Sequence, residues 1–236
     1  MKLSDILFSL KCLLKSKLFF LWFAVLCFSI LQPYHLAAKT YAEDKNKDGH
    51  KDLWNYYSDK GELEKVEIDS DFDGQIDTWQ IYQKGEMTKI IRDTDFDGKK
   101  DTWDYFEAGF QMRQEQDQDD DGKIDLWVCF NEYGKIVSAD KDLNHDGKPD
   151  LWIEYDEEEK PKKEKGDINF DGNIDIIKEY QKGELSEVQR DTDFNGKMDT
   201  RDYYEQGKIV RQEQDKNEDG FLHWEPPVSH KFKKRV

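Results

Sequence analysis

The sequence is poor in cysteine, proline and histidine, and its acidic residues far outnumber its basic ones. Its 236 residues include 3 Cys, 5 Pro and 5 His, with 36 Lys and Arg against 53 Asp and Glu, for a formal net charge of -17. Two of the cysteines precede residue 39, so a chain beginning there keeps only Cys129 and cannot close a disulfide within itself. The histidines are not clustered, and no P-loop, Rossmann glycine fingerprint or HExxH motif is present. These absences argue against an enzyme. The acidity argues against a nucleic-acid partner, whose phosphates are also negative.

Long apolar runs are absent after the first 31 residues, and the one long run that exists covers 18–31. It follows four lysines and is shorter than the roughly 20 residues that a membrane-spanning helix needs. We therefore expect residues 1–38 to be a signal peptide, cleaved after Ala38 or after Ala42, with an uncleaved anchor as the alternative. The protein is predicted to be exported (periplasmic, cell-surface or secreted), with no membrane span in the mature chain.

One motif is abundant and is repeated eight times. A glycine recurs at positions 49, 74, 98, 122, 147, 172, 196 and 220, in steps of 24 or 25 residues, and a fixed period in this range marks a repeat architecture. Each glycine is the sixth residue of a loop with Asp or Asn at positions 1, 3 and 5. Seven loops also have Asp at position 9, whereas the eighth has His223.

The predicted ligand residues are these positions 1, 3, 5 and 9, taken loop by loop. They are Asp44, Asn46, Asp48 and Asp52; Asp69, Asp71, Asp73 and Asp77; Asp93, Asp95, Asp97 and Asp101; Asp117, Asp119, Asp121 and Asp125; Asp142, Asn144, Asp146 and Asp150; Asp167, Asn169, Asp171 and Asp175; Asp191, Asp193, Asn195 and Asp199; and Asp215, Asn217 and Asp219.

Short oxygen-bearing side chains at alternate positions converge when the backbone curls, and glycine at position 6 permits the sharp turn. An oxygen-only ligand set without Cys or His selects a hard cation such as Ca²⁺ over Zn²⁺. Up to eight Ca²⁺ ions are therefore predicted, with the His223 loop as the weakest site. An acidic turn without metal is the alternative for one loop, but eight in register are hard to explain in that way.

The loop sequence DxDxDGxxD resembles the compact calcium loops of thrombospondin type 3 repeats and of integrin-type propellers. Its first half also resembles an EF-hand loop, but no copy has the glutamate that an EF-hand carries six residues after the glycine. The resemblance implies that the position-9 Asp completes the calcium shell and that no flanking helix is needed.

Calcium would also account for much of the acidity. After the leader, 52 acidic residues remain, and 26 of them occupy the ligand positions. Without a cation these carboxylates repel one another, so we expect folding to depend on calcium.

Short aromatic runs between the loops predict an all-β fold. Each loop is followed by a run such as Thr78–Tyr82, then by a glycine turn and a second apolar run. The sequence therefore predicts 24–25-residue β-hairpin repeats over residues 39–225. They would form an extended meander or solenoid of about fourteen strands, with the calcium loops along one edge. A closed toroid or propeller-like ring is the alternative. Repeat five replaces its glycine turn and apolar strand with the charge run 157–163, which predicts a longer, solvated loop.

The predicted function is structural: a calcium-stiffened scaffold or adhesive spacer on a surface or in the periplasm. One alternative is a calcium-dependent module that binds a glycan, or a cell-surface or matrix protein, through the aromatic rows. The other, less favoured, is a hydrolase of polymers. Residues 226–236 form a basic tail.

Overall fold

The computed structural model describes residues 38–217 and 219–225. The basic tail and all of the predicted signal peptide except Ala38 lie outside these residues. The part of the chain that is described contains no helix with the length and apolar character to cross a membrane. Its regular structure is β-strand throughout, so the all-β prediction is confirmed.

The chain divides into two compact units, the first ending at Lys135 and the second beginning at Ile136. The first unit contains eight strands. They are β1 (Lys39–Glu43), β2 (Leu53–Tyr57), β3 (Leu63–Ile68), β4 (Thr78–Gln83), β5 (Glu86–Arg92), β6 (Thr102–Glu107), β7 (Phe110–Gln116) and β8 (Leu126–Phe130).

The second unit repeats this arrangement with eight more strands. They are β9 (Ile136–Lys141), β10 (Leu151–Tyr155), β11 (Pro161–Gly166), β12 (Ile176–Gln181), β13 (Glu184–Arg190), β14 (Thr200–Glu205), β15 (Lys208–Gln214) and β16 (His223–Glu225).

Within each unit the strands pair antiparallel in the order of the chain, which is an up-and-down meander. The acidic loops join odd to even strands, so within a unit they all lie at one end of the strands, and the turns lie at the other. Among the strands that the structure describes, β1 pairs only with β2 and β16 only with β15, so the meander is open and the alternative of a closed ring is wrong. The described residues form sixteen strands rather than about fourteen, because β1 and β16 add one strand before the first loop and one after the last.

The difference between 24- and 25-residue repeats lies in the turns. In the shorter repeats two residues with positive φ form the turn, as in Lys84 (φ 54°) and Gly85 (φ 80°). Such turns match the right-handed twist of the two strands. In the longer repeats the turn has one more residue, as in the segment that begins at Ser58, whose amide donates to the Glu62 carbonyl across 2.8 Å. Every acidic loop keeps the same length up to position 9.

Repeat five departs from its prediction. Its charge run does not form a longer loop, because Pro161–Gly166 is strand β11, paired with β10 on one side and β12 on the other. The turn before it has the same hydrogen bonds as the turn at Ser58, with the Asp156 amide donating to the Lys160 carbonyl across 2.9 Å. Glu159 adopts φ 60° at the place where the other turns of this length have glycine. Backbone partners on both edges therefore impose the strand on a charged sequence.

The two faces of each sheet carry different residues. The Trp face carries the tryptophans that come five residues after each of the first five loop glycines, such as Trp79 and Trp103. The Val face carries Val66 and Ile90 in the first unit and Val188 in the second. Aromatics eight residues after the glycine share the Val face, since the Tyr82 hydroxyl reaches Gln80 on the same strand at 2.9 Å. The two aromatic positions therefore lie on opposite faces of the sheet.

The apolar core is small, and part of the buried interior is charged. Six apolar residues are buried in the part of the chain that the structure describes: Val66, Ile90, Val128, Cys129, Ala139 and Val188. In β6 and β14 the place of a core valine is taken by Asp104 and Asp202, which are almost fully buried on the Val face. The guanidinium of Arg190 donates to Asp202 across 2.5 Å, and Gln212 donates to its other oxygen at 2.8 Å. Arg92 and Gln114 hold Asp104 in the same way.

Removing one of these buried carboxylates should destabilise the sheet. Asp202→Ala is expected to lower the free energy of unfolding by about 3 kcal/mol, because it leaves Arg190 and Gln212 without their acceptor; the partial exposure of Arg190 keeps the loss at the lower end. Urea unfolding at fixed calcium measures this. The exposed Glu205→Ala on the same strand should change stability by less than about 0.5 kcal/mol. Equal effects of the two substitutions would contradict a stabilising role for the buried pair.

Candidate metal-binding loops

The first residue of each loop is held by the loop's own glycine. In all eight loops the amide of the position-6 glycine donates to a carboxylate oxygen of the position-1 Asp, at 2.5–3.0 Å. The glycines have φ between 84° and 100°, a conformation that costs other residues energy. This is the sharp turn that the sequence predicts at position 6.

The ninth residue closes the loop from the other side. In seven loops one oxygen of the position-9 Asp accepts the amide of position 2, at 2.5–2.9 Å. The backbone amide of the same Asp donates to the carbonyl of the residue just before the loop, as Asp77 does to Ile68 at 2.9 Å. The position-9 side chain is therefore fixed by both its carboxylate and its backbone.

Positions 3 and 5 turn the backbone inward between these two anchors. The position-3 side chain accepts the amide of position 5 in seven loops, and the position-5 side chain accepts that of position 7 in all eight. Position 4 has φ between 60° and 68° in each of the seven loops where it is described. Side-chain oxygens thus satisfy the amides that the tight turn leaves unpaired.

Burial divides the predicted ligands into two groups. In loops two to seven the Asp residues at positions 1 and 9 are at most 7% exposed, with Asp175 at 1%; the one exception is Asp199, which is half-buried. The residues at positions 3 and 5 are mostly exposed and lie at the solvent-facing side of the loop. In three loops, three carboxylate groups lie with one oxygen each within 4.8 Å of one another: Asp69, Asp71 and Asp77; Asp93, Asp95 and Asp101; and Asp117, Asp119 and Asp121.

Some of the buried carboxylate oxygens have no hydrogen-bond partner. These are the Oδ1 atoms of Asp101, Asp175 and Asp199 at position 9 and of Asp117 at position 1. The other oxygen of each accepts an amide of its own loop, for instance that of Ile168 to Asp175 at 2.8 Å. A buried anionic oxygen without a donor is costly, so a cation is the natural partner. The donor chemistry of these loops therefore fits a hard metal ion.

The crowding of negative charges in the loops changes the pKa values of their carboxyl groups. The pKa of Asp71 is raised, first by burial and then by the neighbouring Asp73, Asp77 and Asp69. Backbone amides act in the opposite direction at position 5, where the amide of position 7 lowers the pKa of Asp48 and of Asp171. Loop hydrogen bonds thus offset only part of the repulsion.

The eighth loop differs at its closing position. His223 replaces the Asp, has a side chain that is 60% exposed, and lies 3.6 Å from the Asp219 carboxylate. The buried acceptor that the other loops place at position 9 is absent from this one. The structure thus separates this loop from the other seven at its closing position.

One carboxylate near these loops was not among the predicted ligands. Asp120, at position 4 of loop four, lies with Asp95 and Asp97 of loop three within 4.8 Å. The pKa of Asp120 is raised, first by burial and then by these two carboxylates. The run of three acids at 119–121 is the sequence signal for it, but the sequence does not reveal that loops three and four approach one another.

No protein-family model and no curated protein matches the chain. Among solved structures, the chain is similar to a crystal structure of TarM, at 12% identity over 58% of this chain and 19% of that one, with a TM-score of 0.18. It is similar to the same extent to a point mutant of S. aureus TarM in complex with fondaparinux, alpha-GlcNAc-glycerol and UDP, at 12% identity over 62% and 21%, again with a TM-score of 0.18. The chain thus spans about a fifth of the length of these proteins, and the low score carries no argument about fold or function.

The crowded loops predict a salt effect in the absence of divalent cations. In excess chelator the thermal unfolding midpoint should rise as NaCl is raised to about 0.5 M, where the screening length falls to about 4 Å. With saturating calcium the same change should have a smaller effect, because bound cations already offset the repulsion. Thermal melts followed by circular dichroism measure both series. A midpoint that is independent of salt in chelator would contradict net repulsion among the loops.

Proposed function

We propose that this chain is an exported calcium-binding repeat protein in which Ca²⁺ stiffens a β-meander. Its role is that of a structural scaffold or adhesive spacer outside the cytoplasm. The ions sit in the loops along one end of the strands, one ion to a loop. Bound there, they neutralise the carboxylates and fix the connections between consecutive hairpins.

The observation that carries this proposal is the set of buried carboxylate oxygens without a donor. In each of the first seven loops a backbone amide donates to one carboxylate oxygen of the position-1 Asp and of the position-9 Asp. The second oxygen of some of these groups, such as Oδ1 of Asp101 and of Asp175, has no hydrogen bond. An acidic turn that served only the backbone would need no such oxygens. A cation removes the cost of burying them.

In each of the first seven loops the ligands are the side chains at positions 1, 3, 5 and 9. Calcium prefers six to eight oxygen ligands, so backbone carbonyl oxygen and water complete the shell. In the loops where Asn stands at position 3 or 5, the ligand set carries one charge fewer, and weaker affinity is expected there. The last loop lacks an oxygen ligand at position 9 and binds most weakly.

A structural role is favoured over catalysis by the repetition of the site. The same carboxylates recur in every loop with the same hydrogen bonds, whereas an enzyme concentrates its chemistry in one place. Repeats that contact their neighbours along the chain also suit a spacer, since stability grows with each added unit.

Calcium titration of the chelator-stripped chain tests the proposal. Isothermal titration calorimetry should give about seven to eight ions per chain, and the thermal unfolding midpoint should rise with calcium concentration. Asp175→Asn should lower the stoichiometry by about one, because it removes the charged closing ligand of loop six.

The matched control is Asp156→Asn at the turn end of the sheet. Asp156 accepts the amides of Glu158 and Lys160, and Asn131 caps the equivalent turn in the preceding repeat, so this substitution should leave the stoichiometry unchanged. Absence of calcium-dependent heat and of any shift in the unfolding midpoint would refute the proposal.

A further inference from the structure

A row of basic and aromatic side chains crosses the Trp face of the first unit. The strand register places one residue of each strand from β2 to β8 in this row. In order they are Tyr56, Lys65, Ile81, Lys89, Tyr105, Arg113 and Cys129. We call Lys65, Lys89 and Arg113 the cation row. A parallel row on the same face carries Trp54, Glu67, Trp79, Ile91, Trp103, Glu115 and Trp127.

The cation row is unusual in so acidic a protein. Its members lie on alternate strands, so neighbours are about 9.6 Å apart along the row. Lys65 and Arg113 form ion pairs with Glu67 and Glu115, at 2.8 and 3.3 Å. Lys89, at the centre of the row, forms no ion pair among the described residues, since Ile91 stands where the other two strands have glutamate. The row therefore keeps a cation at its centre that is available to an anionic ligand.

Further positive charge and aromatic surface surround Lys89. The Lys89 ammonium lies 4.6 Å from the centroid of the Tyr105 ring, and the Arg113 guanidinium lies 4.0 Å from the same ring. Lys100 lies 4.2 Å over the Trp79 ring. The pKa of Lys89 is lowered, mainly by burial, with Arg113 and Lys100 adding to the effect and Glu115 opposing it. Lys89, Arg113 and Lys100 thus place three positive charges close together on the Trp face, among aromatic rings that are partly exposed.

The second unit shows that the sheet does not need the positive charge of Lys89. Its equivalent row runs Glu154, Lys163, Glu179, Glu187, Tyr203 and Arg211. Glu187 pairs with Tyr203 as Lys89 pairs with Tyr105, and Glu179 stands in the place of Ile81. The same backbone and register are therefore compatible with a row whose net charge is negative. Lys163 and Arg211 keep the positive charge of Lys65 and Arg113, so Lys89 is the one member of the cation row whose charge this fold does not require.

We propose that the Trp face of the first unit binds an acidic polysaccharide that carries one carboxylate per disaccharide. The two-strand spacing of the cation row is close to the length of one disaccharide in an extended chain. Lys65, Lys89 and Arg113 then meet successive carboxylates, and the exposed parts of the Trp79 and Trp103 side chains pack against the sugar rings. The Tyr105 ring is already in contact with Lys89 and Arg113 and holds these two cations in place. This goes beyond the scaffold function and requires only that the sheet be folded.

Charge density favours a glycan over other polyanions. A nucleic acid carries a phosphate on every nucleotide, which is a closer spacing of charge than that of the cation row. A glycan with one charge per disaccharide matches the spacing of the cations. A flat anionic membrane would face both the cation row and the loops, which opposes its binding.

Binding of a hyaluronan octasaccharide to the full chain in saturating calcium tests the proposal. We expect saturable binding in titration calorimetry, a change in Trp fluorescence, and weakening as NaCl is raised. Lys89→Glu should weaken binding by about tenfold or more, since it removes one charge-assisted contact and adds repulsion. This variant is expected to fold, because Glu187 occupies the equivalent position. Its calcium titration and circular dichroism should match those of the unsubstituted chain.

Two controls distinguish specific binding at the cation row from non-specific electrostatic attraction. Lys162→Glu makes the same change in net charge at an exposed residue of β11 and should leave binding unchanged. A carboxyl-reduced octasaccharide of the same length should bind at least about tenfold more weakly. Equal loss in the two lysine variants, equal binding of the reduced glycan, or absence of binding would overturn the proposal. So would tighter binding of a thymidine oligonucleotide or of phosphatidylserine vesicles than of the octasaccharide.

Discussion

The hydrogen bonds between loop carboxylates and loop amides are the constraint on which the rest of the structure depends. Each acidic loop reverses the chain so tightly that several amides cannot reach a backbone acceptor, and the side chains at positions 1, 3, 5 and 9 supply the oxygens instead. Among the residues that the structure describes, this local solution places acids in some of the most buried positions. A fold stabilised in this way concentrates negative charge where it is least screened, which is why the loops and their counterions have to be considered together.

The sheet between the loops is stabilised mainly by hydrogen bonds between neighbouring strands rather than by an apolar interior. Only six apolar residues are buried among those that the structure describes, and polar contacts occupy both faces. Asp104 and Asp202 replace core residues, and tyrosine hydroxyls of the Trp face donate to glutamates of the neighbouring strands, as Tyr105 does to Glu115 at 2.7 Å. Each strand thus depends on its two neighbours, which is typical of repeat proteins whose units cannot fold alone.

Much of this architecture could be predicted from the sequence because it is periodic. The glycine period located every loop, and the aromatic runs located the even strands. Strand β11 was missed because its residues have little strand propensity, and only its neighbours impose the conformation. The buried Arg190–Asp202 pair was missed because a charged residue within a strand is expected to be exposed; its recurrence as Arg92–Asp104 was the available signal. Contacts between loops, such as Asp120 with Asp95, depend on three-dimensional spacing that a linear pattern does not contain.

The acidic loops at one end of the strands and the turns at the other differ in whether they tolerate a change of length. Every loop has the same length, because a single added residue would displace the closing Asp from the amide it accepts. The turns already occur in two lengths, and one of them accommodates Glu159 in place of glycine. Insertions of peptide tags or whole domains should therefore be accepted at the turn that begins at Ser58 and rejected at the loop that follows it. Gain or loss of a complete repeat would leave the pattern intact.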